Sequence, residues 1–281
     1  MIWNIVSDSS CDLLRNGFDS RRVRFESVPL RIRVGEREFA DTDELDVSEL
    51  LRAMREEKSA SSSSCPSPGD YANAFEKGEK TVCFTISGSL SGSFNAAMQG
   101  RSLTLEEHPE KEICVIDSRG TAGVLHLLIE KARDLMENAA EDQFAAICAE
   151  LERYRNSLRT CFTLENFDNL VKNGRMRPLV GVLLQKLGIH VVAEGDEAGA
   201  IRVVGKARGE KRTFRAMTAL MERTKNCSGA SVVIAHCNNP GGAARLKEEI
   251  LKSLPVKSVR LQVCRGLNTF YAMDQGLIVG Y

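Results

Sequence analysis

The stretch "KTVCFTISGSLSGSFNAAMQGRSLTLEE", residues 80–107, decides how the rest of the chain is read. Its first part, "KTVCFTIS", is a short apolar run with Thr, Val, Ile and Phe, closed by Gly88. Such a run reads as a buried strand. "GSLSG" is a tight loop, and "SFNAAMQGRSLTLEE" continues as a helix. The same beat recurs outward. "IWNIVS" is a strand before "SDSSCDLL", where Asp8, Ser9 and Ser10 are cap residues for a short helix. "EICVID" is a strand before the long helix "TAGVLHLLIEKARDLMENAA", and "EDQFAAICAELERYRNSL" is a further amphipathic helix. Strands that alternate with helices imply a parallel, wound sheet.

Between these beats, "VRFESVPLRIRVG" alternates and reads as extended chain, and "DVSELLRAMREEK" carries a helical stripe at Val47, Leu50, Leu51 and Met54. The stretch "SSSSCPSPGDY", residues 61–71, then has the composition of a loop. It supports two readings. Its hydroxyls cap the helix that restarts at Pro68, or they form a shaped loop that presents hydroxyls to a ligand. Near Leu158 the rhythm changes. "RTCFTL" is a strand, "ENFDNLVKNGR" a short helix ended by Gly174, and "PLVGVLLQKLG" an apolar helix. "IHVVAEGDEAGAIRVVG" is a hairpin about a Gly/Asp turn. A helix from Glu210, the strand "SVVIAHC", the helix "GGAARLKEEILKSL" and the strands "VKSVRLQVC" and "GLIVGY" complete the chain. The expectation is an α/β protein of two α/β domains. Residues 1–157 carry a mostly parallel wound sheet, and residues 158–281 carry a mixed sheet.

Bulk properties exclude several classes of function. The 281 residues balance 38 basic against 38 acidic side chains, so there is no excess positive charge to attract nucleic acid. No apolar run reaches membrane-span length, and the start lacks the basic and apolar regions of a signal peptide. The nine cysteines are scattered and never spaced as Cys-x-x-Cys, so they suggest neither zinc nor a redox motif. These features fit a cytoplasmic protein with reduced thiols.

Catalytic and metal signatures fail on inspection. "GSLSG" places Leu90, not Ser, midway between its glycines, which departs from the nucleophile elbow. His108, His126, His190 and His236 have no diagnostic spacing, and His126 reads as a core residue. "GAIRVVGKA" has one residue too many between its glycines for a phosphate loop. No metal motif and no catalytic residue is indicated. What remains is a pattern of hydroxyls. Ser91 precedes the first turn of a helix whose free amides, near Gly92 and Ser93, favour an anion. With Ser63 and Ser64 folded over the same spot, hydroxyls and amides would converge on a carboxylate or phosphate oxygen. A serine-dependent hydrolase or another lipid-acting enzyme is the alternative, although no base is placed to activate a serine.

Taken in order, these segments resemble the DegV family of bacterial fatty-acid-binding proteins over nearly the whole chain. "IVSDSSCDL" is similar to its Asp-Ser start, and "VPLRIRVGEREFAD" to its second segment. "SSSSCPSPGDYANAF" resembles its Thr-Ser-Gln-Pro-Ser signature, with Ser63 at the Thr position and Ser64 retained. "ISGSLSGSFNAA" resembles its Ser-Gly-Thr-Tyr signature, with Ser91 and Gly92 retained and Ser93 for Thr. "CVIDS", "LENFDNLVKNGRM" and "GKARGEKR" extend the match.

The resemblance implies two α/β domains with one long-chain fatty acid between them and no cofactor. It implies that Ser63 and Ser91 hold the carboxylate, with Ser64, Gly92, Ser93, Arg175 and Tyr271 around it. It also implies, for some members, presentation of the acid to a separate ATP-dependent fatty acid kinase. Two readings stay open for Arg175, a carboxylate contact or a solvated charge at a helix end, and two for Tyr271, a site residue or a core aromatic. The family's C-terminal His-x-Gly-Pro-Gly segment is absent, and Tyr271 stands roughly where its His would lie; this bears on the kinase role more than on acid binding. The chemistry is balanced. A tail of about fifteen methylenes gains roughly 12 kcal/mol at ~0.8 kcal/mol per CH₂ before ordering costs, while a buried carboxylate demands donors. "PLVGVLLQKLG" and "VLHLLI" are candidates for the tail's lining or for plain core.

Overall fold

A computed structural model describes residues 3–15, 18, 20, 22–57, 61–177 and 188–281. The first sheet is wholly parallel, in the order β2 (Val23–Val28), β1 (Trp3–Asp8), β6 (Lys80–Thr85), β7 (Glu112–Asp117). Its strands are buried apolar runs because helices cover it. α2 (Pro68–Phe75) and α3 (Ser93–Glu107) pack together against one face, with Tyr71, Phe75, Ala96 and Ala97 in that core. α4 (Gly123–Glu137) and α5 (Phe144–Ser157) lie on the other, with Leu125, Leu128, Ile147 and Leu151 inside.

Beside it stands a small antiparallel sheet, β4 (Arg37–Ala40), β3 (Arg31–Val34), β5 (Ser61–Ser64). Here the structure corrects the sequence reading: the four serines are not a loop but an edge strand, with Ser63 opposite Ile32. Helix α1 (Val47–Glu56) buries Leu50 and Ala53 under this sheet, and Asp46 caps it by accepting the Ser48 and Glu49 amides.

The chain passes to its second sheet between Ser157 and Thr160. This sheet is mixed, in the order β10 (Ile201–Arg208), β9 (Ile189–Gly195), β8 (Thr160–Leu164), β13 (Leu277–Gly280), β11 (Ser231–His236), β12 (Ser258–Val263). Only β11 and β12 pair in parallel. α7 (Glu210–Thr224) and α8 (Pro240–Ser253) cover one face through Phe214, Met217, Leu246 and Ile250. The expected helix "PLVGVLLQKLG" falls largely on residues 178–187, outside the described residues.

Two elements join the sheets. The start of α4 abuts the second sheet so closely that a Cβ on Gly123 would meet the Val233 carbonyl oxygen at 2.7 Å. Helix α9 (Gly266–Ala272), which the sequence reading passed over, returns from the second sheet to the first lobe. Asp41 accepts the Gly266 and Leu267 amides at 2.8 and 2.9 Å, and Asp12 accepts the Arg265 amide at 2.7 Å. Burial pushes the Asp12 and Asp41 carboxyls above their ordinary range.

Candidate functional site

Between the lobes lies a cavity of about 270 Å³. Its wall is largely apolar, with Leu30 and Ile86 from loops of the first lobe, Phe162, Leu164 and Ile278 from the second sheet, and Leu170. Ser63, Ser64, Ser91, Gly92, Arg175 and Tyr271 all reach it, so six of the seven sequence-assigned residues share one cavity.

Tyr271, brought in by α9, hydrogen-bonds the Ser63 hydroxyl at 2.8 Å. One of the pair donates to the other, which leaves one hydroxyl proton for a ligand. Tyr271 thus lines the cavity while its ring also packs against the core around Phe270. Ser91 stands at the start of α3, where its Oγ accepts the Ser93 amide at 3.3 Å, leaving its own proton free to donate. The residue after the serine strand lies against this helix start: a Cβ on Gly92 would lie 3.3 Å from Cys65 Sγ.

The segment after α6 (Asp168–Lys172) ties these pieces together. The Arg175 Nε donates to the Leu90 carbonyl at 3.1 Å, and Asn173 Nδ2 donates to the Ser61 carbonyl at 3.1 Å. Arg175 is thus a cavity residue that also braces the "GSLSG" loop. The glycine between them, Gly174, has φ +73°, which a side chain would resist.

Ser93 is the exception. Its hydroxyl is fully buried away from the cavity, bonded to Asp8 Oδ2 and to the Tyr71 hydroxyl, both at 2.6 Å. Its role is to fix α3, and the expectation that it flanks the carboxylate is corrected accordingly. Asp8 is the residue that sequence reasoning placed only as a cap. It does cap, accepting the Ser10 amide and hydroxyl, but it also accepts the Ile86 amide at 2.8 Å and so holds both ends of the "SGSLSG" loop. Burial pushes its carboxyl upward, against the hydrogen bonds from Ser10, Ser93 and Ile86. The "VLHLLI" segment is core: Val124, Leu125, Leu127 and Leu128 pack under the first sheet, and none lines the cavity.

Among the described residues no group of three or more His, Cys, Asp or Glu is placed to hold a metal, and no helix is long and apolar enough to cross a membrane. The wall formed by described residues has hydroxyls, an amide and two arginines but no histidine or carboxylate to serve as a base.

A two-lobed α/β fold around an apolar cavity, with hydroxyls and two guanidinium groups on its wall, defines an architecture with known relatives. The family described as "Uncharacterised protein, DegV family" matches residues 2–267, and the chain belongs to the DegV family. A DegV domain-containing protein of Streptococcus pneumoniae is 36% identical over 282 residues, covering 100% of this chain and 99% of its own. The Streptococcus pneumoniae Fatty Acid Kinase (Fak) B3 protein, solved loaded with linoleic acid, superposes with a TM-score of 0.94 at 35% identity, covering 100% of this chain and 99% of that one. A DegV family protein from Eubacterium eligens, loaded with heptadecanoic acid, gives 0.91 at 28% identity over 99% and 98% of the two chains.

Proposed function

We propose that this protein binds one long-chain fatty acid in the apolar cavity, with its carboxylate held by Ser63 and Ser91, and carries it without catalysing a reaction. The observation that carries the proposal is the cavity itself, a largely apolar cleft on which two hydroxyl-bearing segments from distant parts of the chain converge. Ser91 keeps its proton, the Ser63–Tyr271 pair keeps one between them, and Arg175 supplies charge beside them. The solved relatives loaded with linoleic and heptadecanoic acids support the ligand class. The finer reading, that a fatty acid kinase receives the acid, rests on similarity to the Fak B3 protein. With no base on the described wall, the serines act as donors rather than nucleophiles. Removing one donor, as Ser63→Ala or Ser91→Ala, is expected to weaken oleate binding by ~1–3 kcal/mol in competitive displacement of a fluorescent acid. Affinity unchanged in both variants would remove these serines from the site.

A further inference from the structure

A second cavity, of about 210 Å³, adjoins the first and shares Arg119, Thr160 and Gly195 with it. Its chemistry is opposite. Arg119, Arg155 and Arg159 line it, with Asn156 and Leu158 from the end of α5 and the chain that follows, and Asp196 and Glu197 from the turn between β9 and β10. Arg159 is committed, donating to the Asn156 and Leu158 carbonyls at 2.7 and 2.8 Å. Arg155 is not. Its Nε and Nη1 are buried and have no hydrogen-bond partner among the described residues. The neighbouring Thr160 Oγ1 is buried and unpartnered in the same way.

Buried cationic donors left unpaired are costly and rare in folded proteins. The acids nearby do not relieve this one. Asp117 and Glu152 act on Arg155 through space without closing an ion pair among the described residues. Asp196 Oδ1 accepts the Ala198 and Ala200 amides of its own turn at 2.9 Å each, and both Asp196 and Glu197 are exposed. Arg119 adds repulsion: burial lowers the Arg155 pKa first, and the Arg119 charge lowers it further. An oxyanion in the cavity would offset the clustered positive charge and remove the repulsion. Guanidinium forks match phosphate oxygens in pairs, and several cationic groups around one pocket suit a dianion better than a singly charged group.

We propose that the Arg119–Arg155–Arg159 pocket is a binding site for a phosphoryl group, separate from the acyl site. A free phosphate ion and the phosphoryl group of a larger molecule share this chemistry. The test is calorimetric titration of the full chain with inorganic phosphate, and in a second arm with phenyl phosphate, at constant ionic strength against chloride. Saturable one-site binding is expected. Arg155→Gln should weaken it at least tenfold, and so should Arg119→Gln, which serves if the first variant does not fold. Arg153→Gln, on an exposed residue of the same helix, should leave it unchanged. Tighter binding of the ester would assign the site to a larger ligand, and equal or weaker binding to the free ion. Absence of saturable binding in the wild type, or wild-type affinity in both Arg155→Gln and Arg119→Gln, overturns the proposal. Lipid content of the same preparations is read separately, so either site can fail without the other.

Discussion

Asp8 serves four donors with two oxygens. Oδ1 takes the Ser10 amide and hydroxyl, and Oδ2 takes the Ile86 amide and the Ser93 hydroxyl. An Asn there would turn an NH₂ toward donors that need an acceptor. Asp8→Asn is expected to cost ~1–3 kcal/mol, read as a lower denaturant midpoint at unchanged slope. A change below about 0.5 kcal/mol, the range of neutral surface substitutions, would show that Asp8 is not the anchor of the loop. At this scale the cavity wall was legible where the sequence carried a pattern. Ser63, Ser91 and Arg175 were assigned through their segments and reach one cavity. Ser93 was misplaced because a hydroxyl at a helix start looks the same whether it turns out to a ligand or back to a buried carboxylate. Asn173 was missed because its value lies in the Ser61 carbonyl, 112 positions away.

At the scale of elements, most segments within the described residues were read correctly, short ones such as β6, β8 and α6 included, whereas the serine strand and α9 were not. Four serines have no apolar alternation to betray a strand, yet they pair with β3 because their neighbours on the sheet are Ile32 and Val34, both buried. Helix α9 is only seven residues long, and its start depends on Asp41, far away in sequence. The joint between α4 and the second sheet was equally invisible, since it is an approach of two backbones. A Cβ on Gly280 would lie 2.4 Å from the Gly123 carbonyl carbon and the Val124 nitrogen. Gly280→Ala is therefore expected to force the helix off the strand and lower stability by about 1–3 kcal/mol. Thermal unfolding checks it; a midpoint equal to the wild type would mean that the lobes have slack at that joint.

Over the whole molecule, α4 is the spine shared by both lobes, and Glu130 on it pairs with Arg260 of β12. Burial raises the Glu130 pKa, but hydrogen bonds from His126 and Arg260 outweigh it and bring it down to about 2 from an ordinary 4.5. A carboxyl lowered on folding adds stability above its unfolded value and loses it as the pH falls toward the folded one. The contribution should be complete above pH 4.5 and fade between 4.5 and about 2. Discounted for solvent screening of a half-buried pair, it is about 1–2 kcal/mol. Denaturant titrations at about pH 5 and pH 2.5 should show Glu130→Gln less stable than the wild type at the higher pH and nearly equal at the lower. A gap that persists unchanged at low pH would assign the effect to packing instead.

The same scale holds the central claim, that two lobes close an acyl site whose headgroup end is built from Ser63 and Ser91. The most direct measurement is denaturing mass spectrometry of the lipid released by freshly purified protein, wild type beside Ser63→Ala and Ser91→Ala. The account predicts about one long-chain fatty acid per wild-type chain and clearly less from either variant. No released fatty acid, or equal amounts from all three proteins, would contradict it.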